Sequence, residues 1–211
     1  MSIFDAFLLA LLQGITEFLP VSSSGHLVLA QTLLNIQSPA VIGFDVYVHF
    51  GTLLSLLVLF RNDIREMFVS TVTSARGKNL LEQYRTSEPF RMVVAVLVGC
   101  IPAGVIGVLF HHQVENFFQD PKMVAVNLVI TGLILFLTRI ASVKEERRIG
   151  IMIAFLIGIA QAIAIMPGIS RSGATISMGL FLGLTPVLAA RFSFLLSIPV
   201  IAGAALLETK N

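Results

Sequence analysis

Glu17-Phe18-Leu19-Pro20-Val21-Ser22-Ser23-Ser24-Gly25-His26 interrupts sequence that otherwise has the apolar character of membrane helices. A second interruption, Pro167-Gly168-Ile169-Ser170-Arg171-Ser172-Gly173-Ala174-Thr175, follows at an offset of 148 residues. Together they set a carboxylate, an imidazole, a guanidinium and several hydroxyls where hydrocarbon is expected. Ionisable groups are costly in a bilayer core, so helix-breaking sequence that carries them reads as a polar site built between helices.

The rest of the chain fits that reading. Of 211 residues, 56% are hydrophobic and 12% charged, and the mean hydropathy is +0.91. These values describe one integral membrane domain over residues 1–211, an all-α polytopic bundle. The net charge is only +2. Most Lys and Arg residues gather in two loops, Arg61 to Arg85 and Arg139 to Arg148. That is a topology signal, and no nucleic-acid partner is expected. Cys100, alone in an apolar run, reads as a small buried hydrophobe. No basic segment precedes Ile3 to Leu12, so no cleavable signal peptide is expected.

Apolar runs near the ~20 residues needed to span occur at 41–60, 91–110, 123–140 and 189–207. With both basic loops cytoplasmic, the first three alternate consistently across the bilayer. Segments 2–34 and 149–184 are apolar but split by Pro and Ser-Gly clusters, and read as re-entrant hairpins of two half-helices. Shifted by 148, Phe7 falls on Phe155, Gln13 on Gln161, Ser22 on Ser170, Ser24 on Ser172, Gly25 on Gly173 and Phe44 on Phe192. An inverted-topology repeat is therefore expected, with a first copy at 1–148 and a second at 149–211. The second copy holds one span where the first holds three, so a truncated chain or a partner supplying two further helices is expected.

Several side chains could carry chemistry. Glu17, one turn before Pro20, is a candidate general base, metal ligand or partner orienting His26. The bland alternative is a paired carboxylate that fixes packing. His26 stands where the second half-helix is expected to begin, and gains weight from the acid and hydroxyls around it. His49, in the following span, is a secondary candidate for the same cavity. Arg171 needs a partner in hydrocarbon, and its fork of donors suits phosphate oxygens. Gly168, Ser170, Ser172, Gly173 and Thr175 around it make an anion cradle at a helix N-terminus. Its alternative partner is Glu17, across the repeat interface. Ser22, Ser23 and Ser24 read as hairpin caps, with Ser22 and Ser24 also candidates for binding the substrate and one of the three a candidate nucleophile. Asp5, Asp45, His111, His112, Glu115 and Asp120 read as interfacial or solvated groups, and Arg191 as snorkelling to the cytoplasmic surface.

At these two motifs the chain resembles the bacterial undecaprenyl-diphosphate phosphatase family, often called bacitracin-resistance proteins, over essentially all 211 residues. The resemblance implies removal of the terminal phosphate from the C55 isoprenyl diphosphate carrier, which regenerates the lipid monophosphate for cell-wall synthesis. It also implies interdigitated inverted repeats in the bacterial inner membrane, with the active site open to the periplasmic side. Position by position, it implies that Glu17, His26 and Ser23 are catalytic and that Ser170, Arg171 and Thr175 hold the diphosphate. Many relatives carry Glu where this chain has Gln13, which weakens any role for a second carboxylate. A Mg or Ca ion bridging Glu17 and the diphosphate is an expectation for such oxygens. The expected partners are a polyprenyl diphosphate and membrane lipids, with a homodimer as one expected assembly. Rival readings are a lipid or anion transporter, or flippase, using the same midplane site, and an inactive fragment lacking the last two helices.

Overall fold

The computed structural model describes residues 1–36, 40–75, 79–109, 120–143 and 147–208. The expectations for His111, His112 and Glu115 fall outside the described residues, as does that for the side chain of Asp45. No strand occurs among the described residues. The helices are α1 (Ile3–Phe18), α2 (Ser23–Leu33), α3 (Ala40–Leu59), α4 (Arg61–Ala75), α5 (Leu80–Thr86), α6 (Glu88–Leu109), α7 (Pro121–Leu137), α8 (Ile151–Ile163), α9 (Arg171–Phe181) and α10 (Pro186–Glu208).

Three of these are long and apolar enough to cross a membrane, over Glu88–Leu109, Pro121–Ile140 and Pro186–Ala205. They coincide with three of the expected spans. The fourth, 41–60, is the 20-residue helix α3. Large apolar side chains such as Leu97 and Val105 of α6 and Val126, Leu133 and Phe136 of α7 point outward and are exposed. A surface of that kind suits hydrocarbon rather than water. The protein is a polytopic helical membrane protein.

Residues 61–85, expected as a basic loop, are largely helical. Charge density dominated that expectation, but Ile64 and Met67 recur at helical spacing and pack on the main core. Asn79 then caps α5 by accepting from the Leu81 amide at 3.1 Å. Asp5 completes a capping box on α1: its carboxylate accepts from the Ser2 amide and the Ser2 hydroxyl accepts from the Asp5 amide.

The core lies where α6, α8 and α10 meet. Met92, Ala95 and Val96 of α6, Ile153, Ala154 and Ile157 of α8, and Phe192, Leu195 and Leu196 of α10 form one buried cluster. Glycine brings α6 and α8 together closely: a Cβ on Gly158 would lie 2.4 Å from the Gly99 carbonyl oxygen. Arg191 stands near the start of α10. Its guanidinium is held by Asp63 of α4 and, at 3.1 Å, by Glu88 of α6, tying three helices together at the basic end.

Candidate active site

Each sequence break separates two helices that pack against each other, α1 with α2 and α8 with α9. Leu19 leaves helical geometry at ψ 140°, as a residue before proline is driven to do, and α1 stops there. Ser22 adopts φ 68°, unusual for a residue with a side chain, and its hydroxyl accepts from the Gly25 amide at 3.3 Å. Helix α2 therefore starts at Ser23, three residues ahead of the expected start at His26.

The second break repeats the hydroxyl cap at the same offset, with Ser170 at an ordinary φ of -69°. Ser170 caps α9 by accepting from the Gly173 amide at 3.0 Å. The Ser170 and Ser172 hydroxyls lie 3.3 Å apart, as those of Ser22 and Ser24 lie 3.4 Å apart. The two breaks touch through their glycines. A Cβ on Gly25 would stand 3.0 Å from Gly168 Cα, and one on Gly173 would stand 2.8 Å from the Pro20 carbonyl oxygen. Gly168 itself has φ +90° and a Cβ there would meet the Val124 carbonyl oxygen at 2.4 Å, so no other residue fits.

Helix α7 fixes the second break from behind. Asn127 Nδ2 donates to the Pro167 carbonyl at 2.8 Å. Thr131 Oγ1 donates to the Gly168 carbonyl at 2.9 Å and accepts from the Ser170 amide at 3.0 Å. Val124, Asn127 and Thr131 are all buried and share one face of α7. Their uncharged side chains in an apolar span gave a signal that charge-based reading passed over.

Glu17 is the hub. Its side chain is 8% exposed, and its Oε1 accepts from Arg171 Nη2 across the two breaks. Oε2 accepts from the Ser23 hydroxyl and, at 3.2 Å, from Gln13 Nε2. Gln13 Nε2 also donates to Thr52 Oγ1 at 3.0 Å, which locks α1 to α3. His49 Nε2 stands 3.6 Å from Oε2. The pairing of Arg171 with Glu17, weighed from sequence as an alternative to phosphate holding, is present in the structure.

These groups border a cavity of about 240 Å³ whose wall includes Glu17, Ser22, Ser23, Ser24, His49, Ser170, Arg171 and Ser172. The remaining sequence candidates stand behind that wall. His26 is half-buried and its Nδ1 donates to the Ser22 carbonyl at 2.8 Å, bracing the strained cap. Thr175 bonds the Arg171 carbonyl and, at 2.6 Å, the Ser193 hydroxyl of α10. Gly168 and Gly173 provide close approach, and Gln13 steadies Glu17. Gln161, noted in the sequence only as the repeat match of Gln13, also lines the cavity, and so does Thr16.

A buried carboxylate thus holds a serine hydroxyl and a guanidinium where the two breaks of a helical membrane protein meet. Residues 6–211 match the family described as Bacitracin resistance protein BacA, and the chain belongs to that family. It is 43% identical to an undecaprenyl-diphosphatase of Desulforapulum autotrophicum, over 100% of this chain and 78% of the relative. It is 42% identical to that of Salinibacter ruber, over 99% and 77%. With the Desulfosudis oleivorans protein of the same name it shares 45% identity over 95% of this chain and 74% of the relative.

Proposed function

We propose that the chain hydrolyses undecaprenyl diphosphate to undecaprenyl phosphate and inorganic phosphate, recycling a lipid carrier of cell-wall synthesis. The observation that carries this reading is the Glu17 carboxylate, which holds Ser23 and Arg171 at once beside the cavity. A hydroxyl bonded to a carboxylate is a nucleophile with its base in place. A guanidinium freed from that carboxylate is a phosphate clamp.

When the diphosphate enters, Arg171 turns from Glu17 to the phosphate oxygens. The hydroxyls of Ser22, Ser24, Ser170 and Ser172 supply further donors. Ser23 Oγ attacks the terminal phosphorus and Glu17 takes its proton. The bond from that phosphorus to the bridging oxygen breaks, releasing undecaprenyl phosphate. His49 then takes a proton from water, which cleaves the phosphoserine, while Glu17 returns its proton to the departing Ser23 Oγ and restores the hydroxyl. His26 acts through its bond to the Ser22 carbonyl, which sets the position of Ser23.

The lining also suits a hard cation. Magnesium binds through one or two carboxylates plus substrate phosphates, and Glu17 with the Ser23 hydroxyl are the residues that would hold it. When bound, such an ion neutralises charge building on the transferred phosphoryl group.

Orientation follows from charge. The basic loops face the cytoplasm, and the cavity takes its α10 lining from Val200 and Ala204. Val200 lies nine residues beyond Arg191 of the basic end, roughly 14 Å along a helix at about 1.5 Å per residue. The cavity's α10 lining therefore runs outward from about the midplane of a ~30 Å hydrocarbon layer, and we read it as opening toward the periplasm of an inner-membrane protein.

Purified protein should release phosphate from undecaprenyl diphosphate. Arg171→Ala should slow release by about 10³-fold, in the range for loss of a transition-state donor. Acid quenching should trap labelled phosphate on the wild type and none on Ser23→Ala. Normal turnover by folded Ser23→Ala would remove serine from the mechanism, and normal turnover by folded Arg171→Ala would remove the site.

A further inference from the structure

We propose that the basic end of the molecule carries a second anion site, a built seat for a phosphate group borne on an anionic lipid or free in solution. The inference is independent of the hydrolytic reading, because it uses none of the groups around Glu17.

The seat is a cavity of about 880 Å³ between the α5–α6 junction, the segment entering α8 and the first turn of α10. Three guanidiniums line it, those of Arg91, Arg147 and Arg148, together with Thr86. Met92 and Leu188 supply an apolar side. The lining thus joins phosphate-binding forks to a strip that can take the start of an acyl chain.

Charge pairing singles out this trio. Arg171 is matched by Glu17, and Arg191 by Asp63 and Glu88. Glu88 also borders the cavity, but its carboxylate is already held by Arg191 at 3.1 Å. The guanidiniums of Arg91, Arg147 and Arg148 have no ion-pair or hydrogen-bond partner among the described residues. Their sequence neighbours Glu145 and Glu146 fall outside those residues. Arg91 is half-buried on the first turn of α6, where a like-charged neighbour is costly unless an anion lies between. The same end holds the start of α8, whose cap Gly150 offers no side chain, so first-turn amides there remain for an acceptor. Under the positive-inside orientation this end meets the leaflet surface that carries negative headgroups.

The test uses the full chain purified in mild detergent and offered equal phosphatidylglycerol and phosphatidylcholine, with retained lipid counted by native mass spectrometry. Inorganic phosphate is titrated separately by calorimetry in phosphatidylcholine nanodiscs. Arg147→Gln/Arg148→Gln and Arg91→Gln are compared with the wild type. Each arginine removed should weaken binding roughly fivefold. Preferential retention of phosphatidylglycerol, lost in these variants, assigns the seat to a lipid headgroup. Phosphate binding lost in the same variants, without lipid preference, assigns it to the free ion. Arg147→Lys/Arg148→Lys separates a built seat from diffuse charge: the lysines keep the charge and lose the fork, so binding should fall more than twofold. Full binding by the Lys variant, or unchanged binding of both probes by the Gln variants with phosphate release intact, would overturn the proposal.

Discussion

Gln161 presents an unusual balance at the scale of a single residue. Its side chain is 1% exposed and lines the cavity, yet neither its amide nitrogen nor its oxygen has a hydrogen-bond partner among the described residues. A buried amide left unpaired costs stability, and a site retains such a group when a ligand satisfies it. Gln161→Leu should therefore leave thermal stability unchanged or raised. It should also raise KM for the diphosphate about tenfold, the worth of one hydrogen bond to a charged group, with a smaller change in kcat. An unchanged KM would show that the amide never meets substrate. Glu17 and Arg171 were legible in the sequence because an ion in hydrocarbon demands explanation. Gln161, Asn127 and Thr131 were not, since uncharged polar side chains sit in membrane helices for many reasons. The place of His49 was less legible for a different cause: it lies 32 positions from Glu17 in the chain, and only the packing of α3 on α1 brings it to the carboxylate.

Helix contacts set the next scale, and α6 against α8 is the tightest of them. Because a Cβ on Gly158 would fall 2.4 Å from backbone oxygen rather than from a yielding side chain, Gly158→Ala must push two helices apart. Overpacking of this kind should cost about 1–3 kcal/mol and lower the melting temperature in detergent. Gly104→Ala, on the same helix α6 with nothing within 4 Å of its Cβ, supplies the control. It should be neutral or stabilise by up to about 1 kcal/mol through helix propensity. Equal melting of the two variants would show that the glycine contact is not limiting. Apolar run length located the spanning helices within a few residues, since the bilayer fixes their length. It missed α4 and α5, whose apolar faces are narrow and whose charges resemble a loop. The start of α2 was misplaced because the φ of Ser22, which begins the helix early, leaves no mark in composition.

At the scale of the molecule, the two breaks act as related halves: the Ser-cap, glycine amide and serine pair at 22–25 recur at 170–173. We read this as the trace of the expected repeat, with Glu17 and Ser23 from one copy and Arg171 from the other. Such a site has a direction only if the bundle has one. Arg191 holds α10 to α4 and α6 at the basic end, while the cavity takes its α10 wall from residues further along the same helix. If basic residues set orientation, Thr86 lies in the cytoplasm and Lys122, at the start of α7, lies outside. Both are exposed. In a Cys100→Ser background, Lys122→Cys should react with a membrane-impermeant maleimide in intact spheroplasts, and Thr86→Cys only after lysis. The reverse pattern would turn the cavity to the cytoplasm and place the arginine-lined seat on the outer surface. Labelling of both in intact cells would mean dual insertion, and the outward opening of the site would then hold for only part of the population.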